Sequence, residues 1–255
     1  MIRRVSIFAF GVASYAIFFA TFLYAVGFVG NFGVPRTIDG PLQGSLAAAI
    51  LIDLGLLGLF ALQHSVMARR GFKRWLTRFI PEPAERSTYV LASSAALLLL
   101  FWQWQPIGGV VWNLESGVAR AAAYGVFAIG WATILFCTFL INHFDLFGLR
   151  QAWLALRDRP YTPLRFATPS LYRVVRHPLY VGWLLAFWAT PTMTATHLLF
   201  ALATTGYILI AIQLEERDLV HAHGDSYVAY RRRVPMLIPS LPRREEMPVR
   251  APRTA

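Results

Sequence analysis

The stretch VSIFAFGVASYAIFFATFLYAVGFVG, Val5 to Gly30, runs for 26 residues without a charged side chain. As a helix it would reach about 39 Å, more than the ~30 Å hydrocarbon core of a bilayer. Further runs follow. Gly44 to Met67 is apolar except for Asp53 and His64, Thr88 to Pro106 is dense in Leu and Ala, and Ala121 to Ile141 is a fourth span. Pro178 to Leu214 holds 37 residues with no formal charge, too long for one crossing of about 20. Pro191, flanked by Thr190, Thr192 and Thr194, interrupts it, which predicts a hairpin of two short arms of roughly 17 residues each. The expected architecture is an all-α integral membrane protein: four transmembrane helices, a C-terminal helical hairpin (five to six membrane segments in all), and a C-terminal tail.

Composition excludes the alternatives. Of 255 residues, 56% are hydrophobic and only 15% charged, against about 25% in soluble domains. Aromatics at 15% exclude a disordered chain, and the single cysteine, Cys137, excludes a disulfide scaffold. The formal charge is +11, yet the basic residues flank the apolar runs and form no separate hydrophilic domain, which argues against nucleic acid. Segments 1–4, 68–87, 142–177 and 215–255 hold 22 of the 24 Lys and Arg; Arg36 and Arg120 are the other two. This asymmetry predicts both termini in the cytoplasm and an even number of crossings. The first run, preceded by Arg3 and Arg4, reads as an uncleaved anchor because it is too long for a signal h-region. Residues 1–240 read as one domain, and 241–255, charged and proline-containing, as a disordered tail.

Chemistry concentrates at the two ends of the predicted hairpin. Arg173-Val-Val-Arg176-His177-Pro178-Leu-Tyr180-Val-Gly182 stands at its entry. Pro178 suits a first helical turn, so His177 would sit at the cap, beside exposed backbone donors fit for an anionic group. Glu215-Glu216-Arg217-Asp218-Leu219 stands at its exit, where carboxylates can accept bonds from hydroxyls or pair with arginine. Gly224-Asp-Ser-Tyr227-Val-Ala-Tyr230 and Val234-Pro235 follow.

The combination Arg-His-Pro-x-Tyr-x-Gly, apolar hairpin, Glu-Glu-x-x-Leu, Gly-x-x-Tyr-x-x-Tyr and Val-Pro resembles the isoprenylcysteine carboxyl methyltransferase superfamily over residues 173–239. Tyr15 to Asn31, Gln63-His64-Ser65-Val-Met67-Ala-Arg69, and Asn142-His143-Phe-Asp145-Leu-Phe147-Gly148-Leu-Arg150-Gln151 narrow the resemblance to its bacterial methanethiol S-methyltransferase family, which is related to the NnrU-like proteins. The resemblance implies a membrane methyltransferase in a bacterial inner membrane, using S-adenosylmethionine bound mainly by residues 142–240, and a small volatile thiol as substrate. It implies that Arg176, His177 and Tyr180 help bind the cofactor, that Glu215 or Glu216 holds its ribose, and that Tyr227 and Tyr230 close over it.

A thiol must lose a proton to become a nucleophile, and the site must align sulfur with the methyl group and exclude water. The candidate proton acceptors are Asp145, His143 and His64. Asp53, in the second span, reads more simply as a structural hydrogen-bonding group. His221-Ala-His223-Gly-Asp225 has poor spacing for a metal, and no metal is expected. Other readings compete: a methyltransferase of another substrate (an isoprenylcysteine-type carboxylate or a lipid), a NADPH-dependent membrane reductase with a related core, and a transporter or regulatory protein. The absence of repeated halves counts against a transporter.

Overall fold

The computed structural model describes residues 1–164 and 167–239, so the tail expected at 241–255 lies outside the described residues. The chain is mostly helical. Four helices among the described residues are long and apolar enough to cross a membrane: α1 (Ile2–Gly30), α2 (Leu46–Met67), α5 (Gly117–Ile141) and α9 (Ala195–His223). Short α3 (Arg70–Leu76) links α2 to α4 (Glu85–Gln103), the 19-residue counterpart of the Thr88–Pro106 run. Two short helices, α6 (His143–Leu146) and α7 (Leu149–Leu156), follow α5; α8 (Pro178–Trp188) precedes α9, and α10 (Asp225–Arg233) follows it.

The hairpin departs from the expected equal arms. Its break falls at the threonines around Pro191, but α8 has 11 residues and α9 has 29. Nothing in Gln213-Leu-Glu-Glu-Arg217 opposes a helix, so α9 runs past the apolar region and stops only where Gly224 adopts positive φ (55°). At ~1.5 Å per residue α8 spans about 16 Å, roughly half a hydrocarbon core. A second departure is a small sheet in a chain read as all helical. β1 (Val110–Asn113) pairs antiparallel with β2 (Thr192–Thr194), and a register irregularity lies between Val110 and Trp112. Thr-Met-Thr and Val-Val-Trp are good strand formers, and each supplies backbone partners that the other's irregular segment lacks.

Helix neighbours run in a closed order: α4 lies between α1 and α2, α9 contacts α2 and α8, and α8 packs against α5. The α5–α8 contact is the tightest, because Gly130 and Gly182 bring the two backbones together. A Cβ on Gly130 would lie 2.6 Å from the Ala186 nitrogen, and one on Gly182 would lie 2.9 Å from the Gly130 oxygen. A buried core of Phe28, Leu100, Phe101, Trp131, Phe187 and Phe200 joins α1, α4, α5, α8 and α9. Asp53 is fully buried, and its Oδ1 accepts the Gln105 N–H just beyond α4 (2.9 Å), a structural bond at the far end of α2 from His64.

Candidate active site

The entry to α8 is a knot of paired charges. Pro178 occupies the first turn, and His177 stands at the cap. The backbone N–H groups of Arg176 and His177 donate to the carbonyls of Pro235 (2.8 Å) and Met236 (3.2 Å), so the segment after α10 lies along the hairpin entry. Arg176 donates from Nη1 to the carbonyls of Val234 (2.6 Å) and Arg231 (3.1 Å), satisfying acceptors at the end of α10. Its Nε donates to Glu216 Oε1 at 2.8 Å, and His177 Nε2 reaches the same oxygen at 3.0 Å. Glu216 is thus buried, with Oε1 shared by two donors and Oε2 3.7 Å from Arg231 Nη1. Glu215 differs: nearly half of its side chain is open, its carboxylate lies 3.9 Å from His177 Nδ1, and the Tyr180 hydroxyl lies beside it.

The C-terminal tyrosines complete this end. Tyr230 donates to the Tyr172 carbonyl at 2.5 Å, and Tyr227 is buried with its ring 5.8 Å from that of Tyr230. Burial pushes the Tyr230 phenol up to about 12 and raises Tyr172 and Tyr227 as well, so all three stay neutral and serve as walls and donors.

Inside the ring of helices lies a cavity of about 360 Å³ with a predominantly apolar, aromatic wall. Tyr180 lines it while its hydroxyl reaches out to Glu215, so one residue borders both regions. Two groups of polar side chains on the wall are built around histidines. At one, His64 stacks on Phe60 (5.2 Å), with the Tyr89 hydroxyl 2.8 Å from Nε2 and the Ser93 hydroxyl 3.3 Å from Nδ1. Arg86 borders the same place, its guanidinium 4.9 Å above the Tyr89 ring and its Nε donating to the Leu146 carbonyl. At the other stands His143. Asn142 ends α5 with φ of 131° and caps α6 through its side chain, which turns His143 inward. Its ring stacks on Phe139 at 4.3 Å, and its hydrogen bonds are ordered. Thr138 donates to the Leu135 carbonyl, so its oxygen accepts Nδ1–H (2.8 Å), and Nε2 accepts the Tyr15 hydroxyl (2.8 Å). Burial holds the His143 pKa below the ordinary histidine range.

Known proteins are similar in sequence over almost the whole chain. A protein named methanethiol S-methyltransferase from Crocosphaera subtropica is 59% identical over 238 residues, 93% of this chain and 93% of that one. One of the same name from Mycobacterium tuberculosis is 56% identical, covering 90% of this chain and 94% of its own. The chain belongs to the methanethiol S-methyltransferase family. It is an enzyme and a multi-pass membrane protein. A more distant relative, Nurim of Bos taurus, is 31% identical over 84% of the chain. No family model and no solved structure matches the chain.

In this family member the ten sequence-predicted site residues divide into three groups. Arg176, His177, Tyr180, Glu215, Glu216, Tyr227 and Tyr230 come together around the start of α8. His64 and His143 both border the cavity, on different sides of it. Asp145 does not border it: its carboxylate is held by Arg150 at 2.7 Å and by the Tyr161 hydroxyl at 3.2 Å. Sequence reading of this family member missed Arg86, Tyr89 and Ser93. They occupy positions i, i+3 and i+7 of α4, one polar stripe on an apolar helix. That stripe was the available signal; Arg86 had been counted only as a membrane-flanking charge.

Proposed function

We propose that the chain transfers a methyl group from S-adenosylmethionine to the sulfur of methanethiol, giving dimethyl sulfide and S-adenosylhomocysteine. The observation that carries this is Tyr180, which borders both an apolar cavity suited to a small thiol and an open carboxylate suited to ribose hydroxyls. The names of the family's relatives supply the thiol. The donor set around α8 fits the cofactor. Glu215 would take the ribose hydroxyls, because Glu216 is buried and its Oε1 is already shared by Arg176 and His177. His177 and Tyr180 would flank the cofactor; Arg176, Tyr227 and Tyr230 would hold the tail that encloses it. When bound, the cofactor supplies an electrophilic methyl group on a sulfonium.

The chain's own residues would position the thiol, exclude water and take its proton. His64 is the best acceptor of the three candidates. Its partners are hydroxyls, which can turn from donor to acceptor as the ring gains a proton. His143 is tied at both nitrogens in a directed chain, and Asp145 is an ion-paired carboxylate away from the cavity. Both termini would face the cytoplasm of a bacterial inner membrane, with the cofactor region on that side; the 22-to-2 basic asymmetry supports this orientation.

Headspace gas chromatography tests the reading on detergent-purified protein given S-adenosylmethionine and methanethiol. Dimethyl sulfide is the expected product. A sample that binds S-adenosylhomocysteine but makes none would remove methanethiol as the substrate. A sample that binds NADPH instead would replace the reading with a reductase.

A further inference from the structure

We infer that Arg86 is a thiolate-binding catalytic residue, its guanidinium being the counter-charge for the substrate sulfur in the cavity. The inference deepens the proposed methyl transfer and rests on it for the identity of the nucleophile.

Arg86 contributes a cation to the wall of a cavity that is otherwise apolar or neutral. Among the described residues no carboxylate lies within ion-pair distance of it. Its one hydrogen bond, Nε to the Leu146 carbonyl, fixes the guanidinium plane and leaves the terminal N–H groups for another acceptor. A cation in an apolar wall without a counter-anion is costly unless an anion joins it. The reaction supplies one. A small alkanethiol has no polar handle except its sulfur, and that sulfur must be anionic to attack. The side chains beside Arg86 fit the same step: Tyr89 can donate to sulfur, and His64, bonded to Tyr89, can take the proton.

The balance is simple. The S–H proton passes to the His64 imidazole. The thiolate sulfur forms a bond to the methyl carbon of the sulfonium donor, the old carbon–sulfur bond breaks, and its electron pair stays on the departing sulfide. His64 returns its proton to water after product leaves. Arg86 changes no bonds; it lowers the pKa of the bound thiol and holds its sulfur in one place. The other titratable groups around it are Lys73, Glu85 and Tyr161 on its outer side, and His64, Tyr89 and Tyr207 on the cavity side.

The test compares wild type with Arg86→Gln and Arg86→Lys. R86Q should lose about 100-fold in kcat/KM toward methanethiol near neutral pH, and the acid limb of its kcat profile, which reports groups in the bound complex, should move up by about one pH unit or more; R86K should recover part of both. Binding of S-adenosylhomocysteine should be unchanged in both variants, which separates this result from failure of the cofactor site. A second arm does not depend on turnover or on the variants folding: ¹³C-labelled thiocyanate, a small soft anion, should bind wild type and be displaced by methanethiol in NMR line-width titrations. R86Q that binds S-adenosylhomocysteine and turns over with an unmoved pH profile would overturn the inference. So would wild type that does not take up thiocyanate. Wild type that takes up the anion but makes no dimethyl sulfide would count against the methyl-transfer reading and keep the anion site.

Discussion

At the scale of single residues, the two adjacent glutamates have different work. Glu216 is buried between Arg176 and His177, whereas Glu215 presents an open carboxylate beside Tyr180. Removing one partner of a buried pair costs about 3–5 kcal/mol, so Glu216→Ala should lower the melting temperature markedly and loosen the segment after α10. Glu215→Gln should leave melting nearly unchanged and weaken S-adenosylhomocysteine binding by roughly 10- to 100-fold, the value of a charge-assisted hydrogen bond. Thermal melts and calorimetric titration on the pair check this; equal effects in both assays would remove the distinction. His143 allows a pH prediction. Its folded pKa is lowered by burial, so an unfolded chain binds its proton near the ordinary value of about 6.5 while the folded chain still refuses it. Stability should therefore fall as pH drops below about 6.5 and be unaffected by this group above it. Melting curves of wild type and His143→Gln should converge as the pH is lowered; parallel curves would show that His143 does not contribute. Asp145→Asn should lose the Arg150 pair yet keep the acid limb of the pH–rate profile.

At the scale of elements, the sequence disclosed the helices well and their partners poorly. Long charge-free runs such as Val5–Gly30 announce themselves by length alone, and each of the four runs before the hairpin is a helix within a few residues of its expected limits. The hairpin break was legible from Pro191 and its threonines, but the unequal arms were not, because hydropathy marks where apolar character ends and not where a helix ends. The Arg176-His177-Pro178-x-Tyr180 entry and the glutamate exit were legible because several specific side chains recur together. The His64–Tyr89–Arg86 corner was not, since it joins α2 and α4 through contacts that neither helix's own pattern contains. Gly182 shows the same limit: a glycine in the motif permits close approach by a ligand or a helix, but nothing in the motif says that the neighbour is Gly130 of α5. Gly182→Val would push side-chain atoms against the backbone of Gly130 and Ile134. It should lower the melting temperature and, because α8 carries His177 and Tyr180, reduce S-adenosylhomocysteine binding too. Gly206→Ala, with open space at the Cβ position inside α9, is the matched control and should lower neither.

At the scale of the whole molecule, the helices enclose more space than the proposed substrate fills. Methanethiol has two non-hydrogen atoms and needs roughly twice the ~30 Å³ share of a water molecule. The cavity holds about 360 Å³, with Phe18, Phe22, Leu57, Leu97 and Trp131 among its apolar walls. A straight alkyl chain added to the thiol would therefore meet apolar surface, at about 0.8 kcal/mol of favourable transfer for each CH₂ buried. Ethanethiol and 1-propanethiol should accordingly be methylated with KM values lower than that for methanethiol, by up to ~4-fold per added carbon. A thiol carrying a carboxylate or an ammonium should fail, since its charge would be buried without a partner. Product chromatography across such a series, with kcat and KM separated, checks this. Rejection of ethanethiol and propanethiol would mean that the bound state closes down around the reacting sulfur, leaving the remaining volume as the route by which a neutral thiol dissolved in the bilayer reaches Arg86 and His64. Acceptance of both, with KM falling along the series, would assign the whole volume to substrate binding.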